Sequence, residues 1–245
     1  MPKIELRNLS VSYQNKKTKE ETMALKKVST SFLDGSFSVI LGPSGSGKTT
    51  LLRTIAGLLP FQGKLLWDDV PLEDIDPHFK QMSFVSQEYV LYPHMTVFEN
   101  IAFPLRAIGA PKKEIVMTIE EISSFLDIRH LWGRKPKELS GGQRQRVSLA
   151  RAIAKKPSLY LFDEPLSNLE EQLRLLERNY IKEAVKRFGA SALYVTHSLE
   201  EAFFLADRVY VLNEGELVTE GTPKELSVSS EPTIRGMINA NYRAL

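Results

Sequence analysis

Apolar positions along residues 3–41 come in short clusters with strand spacing. Ile4, Leu6 and Leu9 are followed by Leu25, Val28 and Phe32, then by the nearly continuous apolar run 37–41. The polar stretch 15–22 between the first two reads as a solvated hairpin or loop. From Lys48 the spacing becomes helical, with Leu51, Leu52, Ile55, Ala56 and Leu59 in phase, and segments 63–67 and 81–85 return to strand. Residues 95–155 contain no convincing strand and three helical segments, 96–107, 111–126 and 140–155. Strand patterning resumes at 158–162, 192–196 and 208–212, with a helix predicted over 171–188. Buried strands alternating with helices predict an α/β chain with a mainly parallel sheet. The expected organisation is one domain, 1–245, with a core from 1–94 and 156–245 and an inserted helical subdomain at 95–155.

Composition acts mainly by exclusion. The 32 Lys+Arg against 30 Asp+Glu leave a net charge of +2, which gives no strong sequence-independent pull toward nucleic acid. The absence of cysteine excludes disulfides, zinc ribbons, iron–sulfur clusters and thiol nucleophiles, and suits a reducing compartment. Residues 1–7 carry charges where a signal peptide needs an apolar run, and no stretch approaches the roughly 18–20 apolar residues of a membrane span. A soluble cytosolic chain is therefore expected. His78, His94 and His130 share no metal-ligand spacing.

Between the strand 37–41 and the helix that follows stand Gly42, Pro43, Ser44, Gly45, Ser46, Gly47, Lys48 and Thr49. They match the P-loop pattern in the strand-to-helix context that it requires. The glycines let successive backbone N–H groups face a triphosphate, and the helix start adds its partial positive charge. Lys48 would face the β and γ phosphates, Thr49 would ligate Mg²⁺, and Thr50 would reach the α phosphate. Asp163 and Glu164 end a buried apolar strand, where an acidic pair is otherwise costly. Asp163 is expected to hold Mg²⁺ through its water shell, and Glu164 to act as general base toward the attacking water. A third constellation, Ser140, Gly141, Gly142 and Gln143, opens the helix 140–155. Ser140 suits an N-cap, whereas paired glycines in a first helical turn lower stability and are better explained by close approach of a ligand. Two phosphate-grade helix starts against one acidic pair suggest a twofold dimer in which each subunit's second anion site closes over its partner's first.

The motifs resemble those of the nucleotide-binding subunit of an ABC transporter. Residues 42–49 resemble its Walker A loop, 139–143 its signature, and 159–164 its Walker B strand with the catalytic glutamate. The resemblance implies that Gln87 touches Mg²⁺, that His197 contacts the γ phosphate and that Tyr13 stacks on adenine. The catalytic set is then Lys48, Glu164 and His197, and the metal set Thr49, Gln87 and Asp163. Nucleotide binding falls to Tyr13, residues 42–50, Gln87 and residues 140–143. The implied fold is a P-loop NTPase (RecA-like) core with an N-terminal antiparallel β subdomain and an inserted α-helical subdomain. The implied cofactors are ATP and Mg²⁺. One departure is Glu170, where the family carries aspartate, which bears on coupling between the two sites of the dimer.

The segment 89–105 resembles importer subunits serving sugars, polyamines and osmolytes, where it forms the groove for a coupling helix of the permease. About half of Tyr89, Leu91, Tyr92, Met95 and Phe98 are expected in the core. The implied partners are a second copy of the subunit in an ATP-dependent homodimer, membrane permease subunits and a substrate-binding protein. The implied location is the cytoplasmic face of a bacterial membrane. The sequence ends soon after 224–226, so the C-terminal regulatory barrel of many members is expected to be lacking. A soluble ABC-type ATPase acting on nucleic acid or ribosomes is the alternative. It would need a coiled-coil insert, zinc cysteines or a second cassette, and none is present in the sequence.

Overall fold

The structure of the chain is a computed structural model that describes residues 3–14, 20–75 and 81–243. Met1, Pro2, His78 and residues 15–19 of the expected loop lie outside the described residues. Contacts divide the chain into two units, Met1–Lys80 with Ser191–Leu245, and Gln81–Ala190.

In the first unit β1 (Ile4–Gln14) pairs antiparallel with β2 (Glu21–Phe32), so Glu21 and Thr22 of the expected loop are already strand. Leu9 breaks the alternation set by Ile4 and Leu6, yet all three are buried. A bulge resolves this. Asn8 has φ 51°, the register shifts between Leu6 and Leu9, and the Asn8 N–H donates to Ser29 Oγ at 2.8 Å. Every residue of β3 (Phe37–Leu41) is buried, as its apolar run predicts.

α1 (Lys48–Ile55) is shorter than the sequence reading, which carried Ala56 and Leu59 in phase with it. Gly57, at φ 74°, turns the chain left-handed, with Gly57 N–H donating to Thr54 O and Leu58 N–H to Arg53 O. This is a Schellman stop, so Leu59 lies beyond the helix. β4 (Gln62–Trp67) returns antiparallel against β1 and pairs in turn with β5 (Val70–Pro71), giving the order β2-β1-β4-β5.

The second unit opens with β6 (Met82–Val85), followed by α2 (Val97–Ala107), α3 (Lys112–Phe125) and α4 (Gly141–Ala154). Thr96 and Glu99 form a capping box that fixes the start of α2. The three helices pack together through Val97, Ile101 and Leu105, Ile115, Ile119 and Ile122, and Val147 and Ala150, all buried. β7 (Leu159–Asp163) runs parallel to β6, with Val85 opposite Phe162, and leads to α5 (Glu171–Arg187).

The chain then re-enters the first unit through β8 (Ser191–Thr196), α6 (Leu199–Leu205), β9 (Arg208–Asn213), β10 (Glu216–Gly221), α7 (Pro223–Ser227) and α8 (Pro232–Arg243). β8 and β9 flank β3 in parallel, and β10 closes a hairpin on β9 through Glu214 and Gly215, both at positive φ. The hydrophobic pattern did not predict β5, β10 or the helices α6, α7 and α8. Among the described residues no helix is long and apolar enough to cross a membrane.

Candidate functional site

In the first unit the glycine loop leaves β3 at Leu41, which pairs with Thr196 at the end of β8. Gly42 and His197 therefore leave neighbouring strands at their carboxyl ends, the place where open α/β sheets present ligand-binding loops. Gly47 sits at φ 100° and forms the N-cap of α1 without a side-chain cap. A Cβ on Gly47 would meet the Ala24 carbonyl at 2.5 Å, and one on Gly42 would collide with the Leu212 carbonyl. Both glycines are thus demanded by backbone approach. The loop is tied to its neighbours by Gly215 N–H donating to Ser46 O at 3.0 Å and Lys26 N–H donating to Gly215 O at 2.8 Å.

Pro43, Ser44 and Gly45 are exposed at the rim, whereas Lys48 is only 4% exposed and its ammonium donates to Pro43 O at 2.9 Å. The Ser46 hydroxyl is buried without a hydrogen-bond partner. A lysine curled over a glycine loop, a partnerless buried hydroxyl beneath it and a helix start without a side-chain cap fit a polyphosphate. Thr49 and Thr50 lie in the first turn of α1, half-buried, and the Thr50 hydroxyl is 3.2 Å from Tyr13 Oη. Tyr13 is 45% exposed, so its ring is open to stacking. His197 is exposed.

In the second unit Asp163 closes β7 at 6% exposure, and Glu164 follows with φ 45°. A non-glycine residue in that region is strained by about 1–3 kcal/mol, a feature that concentrates at functional positions. Gln87 is exposed two residues after β6, and Asn168 Nδ2 donates to its carbonyl at 3.1 Å. The parallel pairing of β6 and β7 thus brings Gln87, Asp163 and Glu164 to one edge of this unit. A single buried carboxylate suits Mg²⁺, which keeps several waters and leans on phosphate oxygens.

Ser140 caps α4 in a complete box. Its hydroxyl accepts from Gln143 N–H at 3.3 Å, and Gln143 Oε1 accepts from Ser140 N–H at 2.9 Å. Gly141 and Gly142 also have internal reasons to be glycine, besides approach of a ligand. A Cβ on Gly141 would stand 3.2 Å from Leu169 Cδ2, and one on Gly142 would stand 3.1 Å from Glu177 Oε1.

Glu177 was missed by the sequence reading. It is 1% exposed, and burial pushes its carboxyl up to about 7 while Arg146 opposes the rise. Glu201 was missed too. Its buried carboxylate accepts from Tyr194 Oη at 2.9 Å and Thr196 Oγ1 at 2.8 Å, fixing the strand end just before His197. The Ser198-x-x-Glu201 spacing, a helix-start signature, was its available signal. Of the five residues tested for core placement, only Tyr89 is buried; Leu91, Tyr92, Met95 and Phe98 are half-buried.

Residues 25–167 match the family model described as ABC transporter. The chain is 45% identical over 227 residues to the sn-glycerol-3-phosphate import ATP-binding protein UgpC of Psychromonas ingrahamii, covering 92% of this chain and 60% of the relative. It is also 45% identical over 213 residues to the trehalose/maltose import ATP-binding protein MalK of Thermococcus litoralis, covering 84% and 57%. It thus spans about 60% of the length of the curated relatives it matches. Among solved structures, a dimeric post-hydrolysis state of an ATP-binding cassette bound to ADP and Pi superposes with a TM-score of 0.79 at 30% identity, covering 90% of this chain and 98% of that one. With more than half of its length matched by the family model, and with a solved cassette sharing its fold, this chain belongs to the ABC transporter family.

Proposed function

We propose that this chain is the Mg²⁺-dependent ATP-binding and ATP-hydrolysing subunit that powers substrate translocation by a membrane import system. The observation that carries this reading is the geometry of β3, the glycine loop and α1, with Lys48 folded over the loop and His197 leaving the neighbouring strand. Residues 42–50 hold the phosphates, and Tyr13 stacks on the base. Asp163, Gln87 and Thr49 are the residues suited to hold Mg²⁺, which when bound neutralises phosphate charge. Glu164 accepts the proton of the attacking water at its carboxylate, and His197 donates toward the γ phosphate. The import names carried by the relatives support transport over an ATPase acting on nucleic acid.

The dimeric solved cassette supports pairing of two copies. In that pair residues 140–143 of each copy would close on the nucleotide of the other. A groove of about 430 Å³ in the second unit supports docking of a permease helix. Tyr92, Phe103, Pro104 and Ile108 line it with Arg151 and Lys155, and the Arg151 guanidinium lies over the Tyr92 ring at 5.4 Å. Such docking would hold the chain peripherally at the cytoplasmic face of the membrane.

Glu164→Gln tests the reading. The amide keeps the shape of the carboxylate but cannot accept a proton, so turnover should fall at least about a hundredfold while ATP binding survives. Unhydrolysed ATP should then hold the variant as a dimer in light scattering, and Ser140→Arg should return it to monomer. A dimer indifferent to ATP and to Ser140→Arg would remove the shared-site mechanism.

A further inference from the structure

Behind the first turn of α4 lies a polar cluster that the proposed chemistry does not use. Glu177 on α5 is buried, and neither carboxylate oxygen receives a hydrogen bond. Oε1 lies 3.2 Å from Arg146 Nε in an ion pair, and directly behind Gly142, where a Cβ would come to 3.1 Å. Gln145, fully buried on α4, has no partner at either end of its amide, and the buried Tyr89 hydroxyl has none either. Burial raises the Tyr89 phenol, the charge of Glu177 raises it further, and Arg144 opposes both.

Arg146 is also committed elsewhere. It donates to Leu126 O at 3.1 Å, lies over the Tyr180 ring at 5.5 Å, and reaches the exposed Asp127 at 3.9 Å. On α5 itself, Arg174 donates to Leu169 O at 3.2 Å. The groups facing Glu177 are therefore Arg146 from α4 and Tyr89 from the segment after β6, with Arg144 of α4 acting on the Tyr89 phenol. A single arginine, shared with a carbonyl and a ring, offsets a carboxylate that burial penalises.

We propose that Glu177 is a positioning residue of the Ser140–Gly142 turn, whose carboxyl sets the strength of the anion site at the start of α4, strong when neutral and weak when ionised. The inference rests on the shared-site reading above. A negative charge behind the first turn opposes the positive end of the helix and the approaching γ phosphate, with little solvent between to screen it. By linkage, phosphate arriving at this turn draws a proton onto Glu177, so closure of the nucleotide-bound dimer takes up protons. Burial pushes the carboxyl up to about 7. Closure should therefore be strongest below that pH and weaken as pH rises through it.

The test uses the Glu164→Gln chain with MgATP, and the same chain also carrying Glu177→Gln, by sedimentation velocity from about pH 6 to about pH 8.5. The parent should dimerise about tenfold more tightly at the acid end. Glu177→Gln should abolish that slope and stay near the tight value, since groups other than residue 177 titrate alike in both. Glu177→Met, neutral and similar in length, should behave like the glutamine variant and replaces it if the glutamine variant folds poorly.

Thermal melts without nucleotide supply an independent sign. A carboxyl raised from 4.5 to about 7 gives stability that is full below 4.5 and lost as pH rises to 7. Both neutral variants should therefore gain over the parent above pH 7, and the gain should shrink toward pH 4.5. Equal pH slopes in parent and variants overturn the inference while leaving the shared site intact. No ATP-driven dimer at any pH removes the shared site and the inference together.

Discussion

α1 is capped by a glycine and α4 opens on one, and neither carries an acid in its first turn, yet the two starts are built differently. At α1 the backbone does the building. Gly47 caps the helix at φ 100° without a side-chain bond, and the carbonyls of Ala24 and Leu212 stand where any Cβ on Gly47 or Gly42 would go. At α4 side chains do the building, because the Ser140–Gln143 box holds the turn and its glycines face Leu169 and Glu177. A start set by backbone conformation is intolerant of substitution. One set by side chains spreads its cost over several contacts and can be tuned from behind.

The largest effect should come from the charge at the first start. Lys48→Ala removes the cation proposed to face the phosphates and should cut ATP turnover at least about a hundredfold while weakening nucleotide affinity, read by steady-state hydrolysis and titration. Full turnover in that variant would end the claim that α1 opens on the phosphates.

Glycine replacements sharpen the contrast in stability. Gly47→Ala must hold a left-handed residue against a carbonyl and should cost about 2–3 kcal/mol or more in denaturant unfolding. Gly141→Ala meets only the end of the Leu169 side chain and should cost less than about 1 kcal/mol. Similar costs at both positions would erase the distinction between the two starts. A modest effect is also expected from Ser140→Ala, which leaves the Gln143 N–H without its cap and should lower stability by about 1 kcal/mol. In a chain of this length that amounts to about 2–4 °C in Tm. No shift in Tm would mean that water replaces the serine fully.

The apolar runs of β3, β7 and β8 were legible as buried strands because a strand enclosed on both faces has no polar positions to hide it. The glycine loop, the acidic pair and the Ser140 cap were legible because each is a short-range pattern with its own chemistry. The early stop of α1 was also written in the chain, as Gly57, and the apolar periodicity through Leu59 concealed it. Other features could not be read locally. Leu9 keeps its place in the core only through a bulge opposite a partner strand, and α6 and α7 are too short to display a helical period.

Glu177 shows most clearly where local reading ends. It stands in Arg174-Leu-Leu-Glu-Arg-Asn179, a stretch that reads as a solvated helix face, with Leu175, Leu176 and Asn179 exposed around it. What turns it inward is the packing of α5 against α4. The sequence by itself singled out the candidates for phosphate, proton and metal chemistry, because those jobs require particular functional groups at fixed short spacings. Only the tertiary structure decided which carboxylate lies buried behind the Ser140 turn, because burial depends on neighbours distant in the chain and a charge acquires its strength from the solvent they exclude.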